Sequence, residues 1–478
     1  MYRKRDRNQL SMFANNRRFV VNIDPNNRWA KLSEIMPWDK IEDHYAQNMS
    51  EDTGRGAIAS RIAFGAIYAR ETLNLTDPGT VEEIRENPYL QYFLGLQEFR
   101  SAPLFDSSMM VHFRRRITPE FIAKVNEFIC TGKWPDDNDS IQSPEDLPSP
   151  DEVEHKGKLM LDATVAPSDI RYPSDVLLLD ECRENLEGII DELWEDSKRE
   201  GHKTPYNRHN AHNKIVNFIK RKKKSKAFIR TALNTHLNYV ELAIHQVVAL
   251  ILYCGLDSLS ERQWDRFDVI CRIYLQQKWM YNNNTNRCDG KIMNLKQPFV
   301  RAIKRDKAGA KYEYGQKLAL SKANGYAFVE RQSWDNFNEC NTLQQSVVNY
   351  FRRFGYFPEV VLADQIYHTR ANMKFCKDKK IRLAGMGKSR KNADQAEKEL
   401  AYKDLCDRNA IEGVNGVSKR RYGLDLIMCW LQHNAEVEAH LNILAMNLQS
   451  RLRLLCTLLQ SWLYMLLPQR SVVLFSRP

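Results

Sequence analysis

The chain carries two hydrophobic rhythms in succession. From residue 20 to 130 apolar positions recur at helical spacing, most clearly between Gly56 and Leu73, so this region reads as helical. Asp77-Pro78-Gly79 interrupts the pattern, and Thr80 with Glu83 three residues on predicts the start of a further helix through a capping box. A helix, a tight turn and a helix suit a helix-turn-helix, although most pairs joined this way only pack, and Arg114-Arg115-Arg116 adds basic charge nearby. Trp134 to Glu154 holds four prolines and eight acidic residues with no Lys or Arg, and reads as a linker. The second rhythm opens with Lys158-Leu-Met-Leu-Asp162-Ala-Thr-Val165, a short apolar strand carrying a carboxylate. Asp180 to Glu200, acidic at helical spacing, leads through a basic stretch to an apolar helix around Tyr239 to Tyr253, which together predict a helical insertion. Tyr314 to Leu320 and Tyr326 to Trp334, joined at Ala323-Asn324-Gly325, predict a hairpin with Asn-Gly turn chemistry. Phe337 to Phe354 is an amphipathic helix stopped by Gly355 and Pro358. An apolar strand, Val360-Val-Leu-Ala363, follows and ends on Asp364. Thr369 to Asp378 reads as helix, Ile381 to Ala384 as strand and Lys398 to Gln432 as mostly helix. The fold class is therefore α/β, a mixed sheet flanked by helices.

Composition narrows the class without changing that picture. The 478 residues are 43% hydrophobic and 27% charged, enough to bury a large core and, at roughly 150 residues per domain, to form about three domains. The formal net charge is +11. Between Gly201 and Thr231 there are ten Lys or Arg and no Asp or Glu, so this one stretch accounts for +10 of it. Such a footprint points to a polyanion, unless the acidic helix before it supplies the partners. The ten cysteines show no C-x-x-C spacing, which argues against a zinc ribbon or a disulfide scaffold and for a reducing, cytoplasmic setting. The N-terminus lacks the apolar core of a secretory signal. The apolar window Leu454 to Leu467 is shorter than the roughly 20 residues a bilayer requires, so it reads as a buried helix and no membrane partner is expected.

Candidate chemistry lies in the carboxylates. Asp162 and Asp364 each stand in or at the end of an apolar strand, and Glu412 lies in a helix where Arg408 is four residues before it and Lys419 seven after, on one face. Strand-end carboxylates next to each other in a sheet can share divalent cations. Phosphoryl transfer on DNA uses two hard ions about 3.5–4 Å apart, one serving the attacking oxygen and one the leaving oxygen. Taken singly, a strand-end Asp is more often a turn or cap, and an Arg-Glu pair at this spacing more often a surface ion pair.

The stretches Asp162-Ala-Thr-Val-Ala-Pro167, Tyr172-Pro-Ser-Asp175, Ala363-Asp-Gln-Ile-Tyr367, Arg408-Asn-Ala-Ile-Glu-Gly413 and Lys419-Arg-Arg-Tyr-Gly-Leu424 resemble the DDE transposases of bacterial insertion sequences, in the insertion-sequence-five family. Asn26-Asn-Arg-Trp29, Ile35-Met-Pro-Trp38 and Glu86-Asn-Pro-Tyr-Leu-Gln-Tyr-Phe93 resemble that family's N-terminal domain, so the likeness covers nearly the whole chain. Arg408, Glu412 and Lys419 meet its Arg, three residues, Glu, six residues, Lys pattern in full. Leu405 stands where that pattern has a tyrosine, Ile366 where a glycine is common, and Val414-Asn415 where a basic and an aromatic residue are usual.

The resemblance implies an RNase-H-like mixed-sheet catalytic core with a helical insertion, preceded by an all-helical N-terminal domain. The layout is a DNA-binding helical domain over 1–133, the acidic linker over 134–156, the catalytic domain over 157–434 with its insertion at about 176–300, and a C-terminal apolar helix over 435–478. It implies Asp162, Asp364 and Glu412 as ligands of two Mg²⁺ ions, with Mn²⁺ as a substitute. Arg408, Lys419, Arg420 and Arg421 would contact phosphates. Lys220, Arg221, Lys222, Lys223 and Lys224 would lie along flanking DNA, and Tyr367 would stack on a base or pack in the core. The partners implied are double-stranded DNA, at element ends and at target, and a second copy of the chain in a synaptic homodimer on the bacterial nucleoid. A catalytically inactive regulator and a structure-specific nuclease on the same core are the alternatives. His202, His209 and His212 lack a neighbouring carboxylate for zinc, and Gly385-Met-Gly387-Lys-Ser389 lacks the spacing of a P-loop.

Overall fold

The computed structural model describes residues 23–47, 49, 56–135, 141–197, 202–304, 312–384 and 395–466, with side chains described as far as 454. Seven helices come first: α1 Arg28–Ile35, α2 Trp38–Gln47, α3 Ser60–Leu73, α4 Asp77–Glu86, α5 Pro88–Phe93, α6 Met109–Arg115 and α7 Pro119–Thr131. β1 Lys158–Pro167 follows, and then α8 Asp175–Ser197, α9 Arg208–Lys220, α10 Lys226–Cys254 and α11 Glu261–Asn282. The remainder is β2 Arg301–Lys304, β3 Tyr312–Ala323, β4 Tyr326–Ser333, α12 Leu343–Phe354, β5 Val360–Leu362, α13 Arg370–Asp378, β6 Arg382–Ala384, α14 Gln395–Tyr422 and α15 Gln432–Leu466.

The sheet runs β2-β3-β1-β5-β6, with β4 also paired to β3. β3 is antiparallel to β1, β2 and β4, whereas β1, β5 and β6 are mutually parallel neighbours. The β3–β4 hairpin turns at Asn324 (φ 50°) and Gly325 (φ 86°), the paired positive angles that an Asn-Gly two-residue turn supplies. Gly315 allows β3 to approach β1: a Cβ there would come within 2.1 Å of the Ala166 carbonyl oxygen.

Alternation along β1 feeds two cores, one on each face of the sheet. Leu159 and Leu161 join Phe328, Val361 and Ala363 under α12 and α13. On the opposite face Ala166, Leu318 and Leu320 pack with α15 and the N-terminal helices, with Met160 against the same cluster. The N-terminal helices thus share one hydrophobic cluster with the sheet and α15, organised around Trp29, Phe64, Tyr68 and Phe93. A buried ion network runs through it: Arg70 pairs with Glu71, Asp77 and Glu438, and Arg114 forms a two-pronged contact with Asp77 at 3.0 and 2.5 Å.

Two local expectations are corrected. α4 starts at Asp77, not Thr80, and Thr76 is its N-cap, accepting from Gly79 N; Pro78 falls in the first turn, where a missing N–H leaves no intrahelical bond unmade. Arg114 does not add basic surface, because it is 3% exposed and committed to Asp77. The acidic, proline-rich stretch is described from residue 141. There Leu147 enters the α12–α13 core, and Lys379 Nζ donates to the carbonyls of Leu147 and Pro148. α8, α10 and α11 form a separate cluster around Leu186, Ile190, Val240 and Ile270. By length and composition alone α10 could cross a membrane, and it buries a side against α8 and α11. The side chains of Leu455 to Leu467 and the Gly385 to Ser389 stretch lie outside the described residues.

Candidate active site

β1 and β5 run in parallel register with Lys158 beside Val360, Leu159 beside Val361 and Met160 beside Leu362. Two residues beyond the last of these pairs, the strands carry Asp162 and Asp364, so the register brings the two carboxylates to corresponding positions. By alternation Asp162 points to the same face as Met160, the one that α14 covers. Asp364 caps the short turn Gln365–Tyr367 by accepting from Gln365 N at 2.7 Å.

Three anchors seat α14 on this face. Lys158 of β1 pairs with Asp407, Arg382 of β6 pairs with the buried Asp404, and Lys322 Nζ of β3 donates to the Ala410 carbonyl at 3.4 Å. One α14 face then reaches the strand ends. Arg408 lies between the acids, 3.6 Å from an Asp364 oxygen and 3.6 Å from a Glu412 oxygen. Asn415 Nδ2 donates to Asp162 Oδ2 at 2.7 Å. Asp364 and Glu412 are 63% and 58% exposed at the side chain, which leaves both able to change rotamer and to meet a polyanion from solvent.

The donor set suits a hard cation, since all three groups are carboxylate oxygens on fixed elements. In the present arrangement no three His, Cys, Asp or Glu side chains among the described residues converge closely enough to hold a metal ion. Two of the acids are instead turned to the Arg408 guanidinium, a monovalent cation on the same ground.

The other expected site residues separate into groups. Arg420 and Arg421 are exposed on the last turn of α14, and Lys419 lies one turn beyond Asn415. Tyr367 is 0% exposed in the α12–α13 core, so its ring is a packing element that no base can reach without unfolding its surroundings. The basic run divides. Lys203 pairs with Asp191 and Glu195, and Arg208 with Glu187 and Asp191, all on α8. Lys220, Arg221, Lys222 and Lys223, on the turn between α9 and α10, are exposed and have no acidic partner among the described residues. That turn is held in shape by Arg221 over Phe228 at 4.3 Å, Lys224 over Phe218 at 5.1 Å, and a stack of Phe218 on Phe228. His202, His209 and His212 are exposed and belong to no metal-binding group among the described residues. Asn415, Asp404, Asp407, Lys158 and Arg382 went unrecognised as site residues in the sequence, where only the helical spacing of Asp404, Asp407 and Asn415 hints at a shared α14 face.

Two family models match the chain. Residues 18–116 match a transposase domain (DUF772), and residues 361–449 match a transposase DDE domain, the segment that holds Asp364, Arg408, Glu412 and Asn415. These matches support a DDE transposase. An uncharacterised protein, ORF8 in the nfe locus of Rhizobium meliloti, is 28% identical over 158 residues, covering 32% of this chain and 68% of its own length. No solved structure matches the chain. The DDE-domain match begins at Val361 in β5 and runs through α14 into α15, whereas Asp162 and the helices α8 to α11 lie outside both matched segments.

Proposed function

We propose that the chain is an insertion-sequence transposase of the insertion-sequence-five group. In this reading it binds the terminal inverted repeats of its element, hydrolyses the phosphodiester at the element ends and joins the freed 3′-OH to target DNA. One observation carries it: Asp162 in β1 and Asp364 just past the end of the adjacent parallel strand β5 stand at corresponding positions, and Arg408 lies 3.6 Å from an oxygen of both Asp364 and Glu412. The strand arrangement, an antiparallel trio followed by two parallel strands, supports an RNase-H-like core.

Asp162, Asp364 and Glu412 would hold Mg²⁺ or Mn²⁺, two ions in the family's arrangement. Bound there, the metal supplies a more acidic water and neutralises charge on the scissile phosphate. Arg408 is placed to exchange its carboxylate partners for a phosphate, which its planar fork fits well. Lys419 continues that cationic face along α14, Arg420 and Arg421 add exposed cations on its last turn, and the turn carrying Lys220 to Lys224 would be a second DNA contact. The helical domain over 1–133 would read the inverted repeats, with 134–156 leading into the catalytic domain. Pairing of two ends calls for a homodimer on chromosomal DNA in the bacterial cytoplasm.

The test is single replacement of Asp162, Asp364 and Glu412 by Ala, followed through nicked and joined products on labelled element-end DNA with Mg²⁺. Each variant is expected to lose both products and keep end binding. Cleavage retained in any one removes that residue from the site, and wild-type nicking without joining makes the protein a nuclease.

A further inference from the structure

Asn415 is not among the acids, yet it touches one. Its Nδ2 donates to Asp162 Oδ2 at 2.7 Å, across 253 residues of sequence. Its Oδ1 is buried and has no hydrogen-bond partner among the described residues. An unmade buried acceptor destabilises the fold, and an apolar side chain of similar size would avoid that cost. Residues that break a stability rule in this way concentrate at functional sites.

The chemistry of the contact is specific. An amide N–H donated to one carboxylate oxygen fixes the direction in which the carboxylate points. Asn415 is also well held, lying on α14 between the anchors of Asp404, Asp407 and Ala410 and the buried Ser418. We propose that Asn415 is a positioning residue, which keeps the Asp162 carboxylate in one rotamer as a divalent-cation ligand. This rests on the reading of Asp162 as a ligand given above.

The experiment is titration of the full chain with Mn²⁺, followed by the electron paramagnetic resonance of the free ion, alongside a melting curve for each variant. Asn415→Leu and Asn415→Ala are expected to bind Mn²⁺ about 10–100-fold more weakly, the loss typical of removing an outer-shell partner of a metal ligand. Asn415→Leu should melt at or above the wild-type temperature, because the orphaned acceptor is gone; a residue that only supported the fold would show the reverse pattern. Mn²⁺ affinity within twofold of wild type in both variants overturns the inference. Asp162→Ala in the same titration separates the two levels. If it loses the site while the Asn415 variants keep it, only the positioning role fails. If it binds as wild type does, or if wild type binds no Mn²⁺, the ligand reading of Asp162 fails and takes this inference with it.

Discussion

Lys203 and Arg208 are tied to α8, whereas Lys220, Lys222 and Lys223 stand exposed without an acidic partner among the described residues, so the basic run should act on DNA through this turn and not through the residues tied to α8. Replacing Lys220, Lys222 and Lys223 together by Gln spares Arg221 and Lys224, whose cations pack on Phe228 and Phe218 and shape the turn. Each phosphate contact adds about 0.9 to the slope of log affinity against log salt, so three contacts add about 2.7. Over a fourfold rise in salt that is roughly 3.5-fold per contact and about 40-fold for the three, affinity that the variant no longer has to lose. The assay is fluorescence anisotropy of a labelled duplex from about 50 to 200 mM salt, on element-end and scrambled sequences. The variant should show a slope shallower by about 2.7 on both, with its preference between them unchanged. The control is Lys203→Gln with Arg208→Gln, whose charges are already answered by Asp191, Glu187 and Glu195 and whose loss should leave the slope unmoved. An unchanged slope in the triple variant, or an equal flattening in the control, refutes the division of the run into paired and DNA-facing halves.

Two further outcomes follow from buried groups. Tyr367→Ala should destabilise the protein by about 3–5 kcal/mol in urea unfolding, as expected for an aromatic lost from a core. Tyr367→Phe should stay within about 1 kcal/mol of wild type and leave DNA affinity unchanged, and a specific loss of DNA binding would put the ring back at the interface. Around Arg70 and Arg114 lie three carboxylates, Glu71, Asp77 and Glu438, and burial pushes the Glu71 carboxyl up from 4.5 to about 7. Between those values the folded state holds a proton that the unfolded state has released, so stability falls as pH rises through the window. The buried His236 and His440, held well below their usual range by burial, act in the opposite sense, so the measurement is the difference in melting temperature between wild type and Glu71→Gln, which should fall from pH 5 to 8; a difference that stays flat or rises contradicts the assignment.

Local rules carried the fold where the determining chemistry was local. The Asn324-Gly325 turn needed only its two residues to declare the hairpin, and Gly355 with Pro358 ended α12 within a residue of where it stops. The start of α4 was misjudged because Pro78 looks like a breaker in isolation. Its acceptability depends on Thr76 capping the turn from outside, a contact three residues away from the glycine it serves. β2 escaped notice altogether, since Arg301–Lys304 is a short edge segment with no alternation of its own and exists only because β3 offers it a ladder. The charge of Arg114 was likewise legible and its burial was not, because Asp77, its partner, comes 37 residues earlier and meets it only once α4 and α6 have packed.

The candidate site shows the same division more sharply. Each acid stood out alone, two at apolar strands and one inside a spaced motif, because a carboxylate in an apolar run conflicts with its surroundings. What brings them together could not be read that way. α14 is seated by Lys158, Lys322 and Arg382, cations from three different strands, and one of its contacts with Asp162 is a neutral amide that no charge pattern marks. Helical spacing identifies which α14 residues share a face, but the choice of partner belongs to the sheet order, in which β1 separates β3 from β5. A substitution at Asp404 or Asp407 would therefore act on the site without touching it, by letting α14 shift along the sheet and carry Arg408, Glu412 and Asn415 out of register with the strand ends.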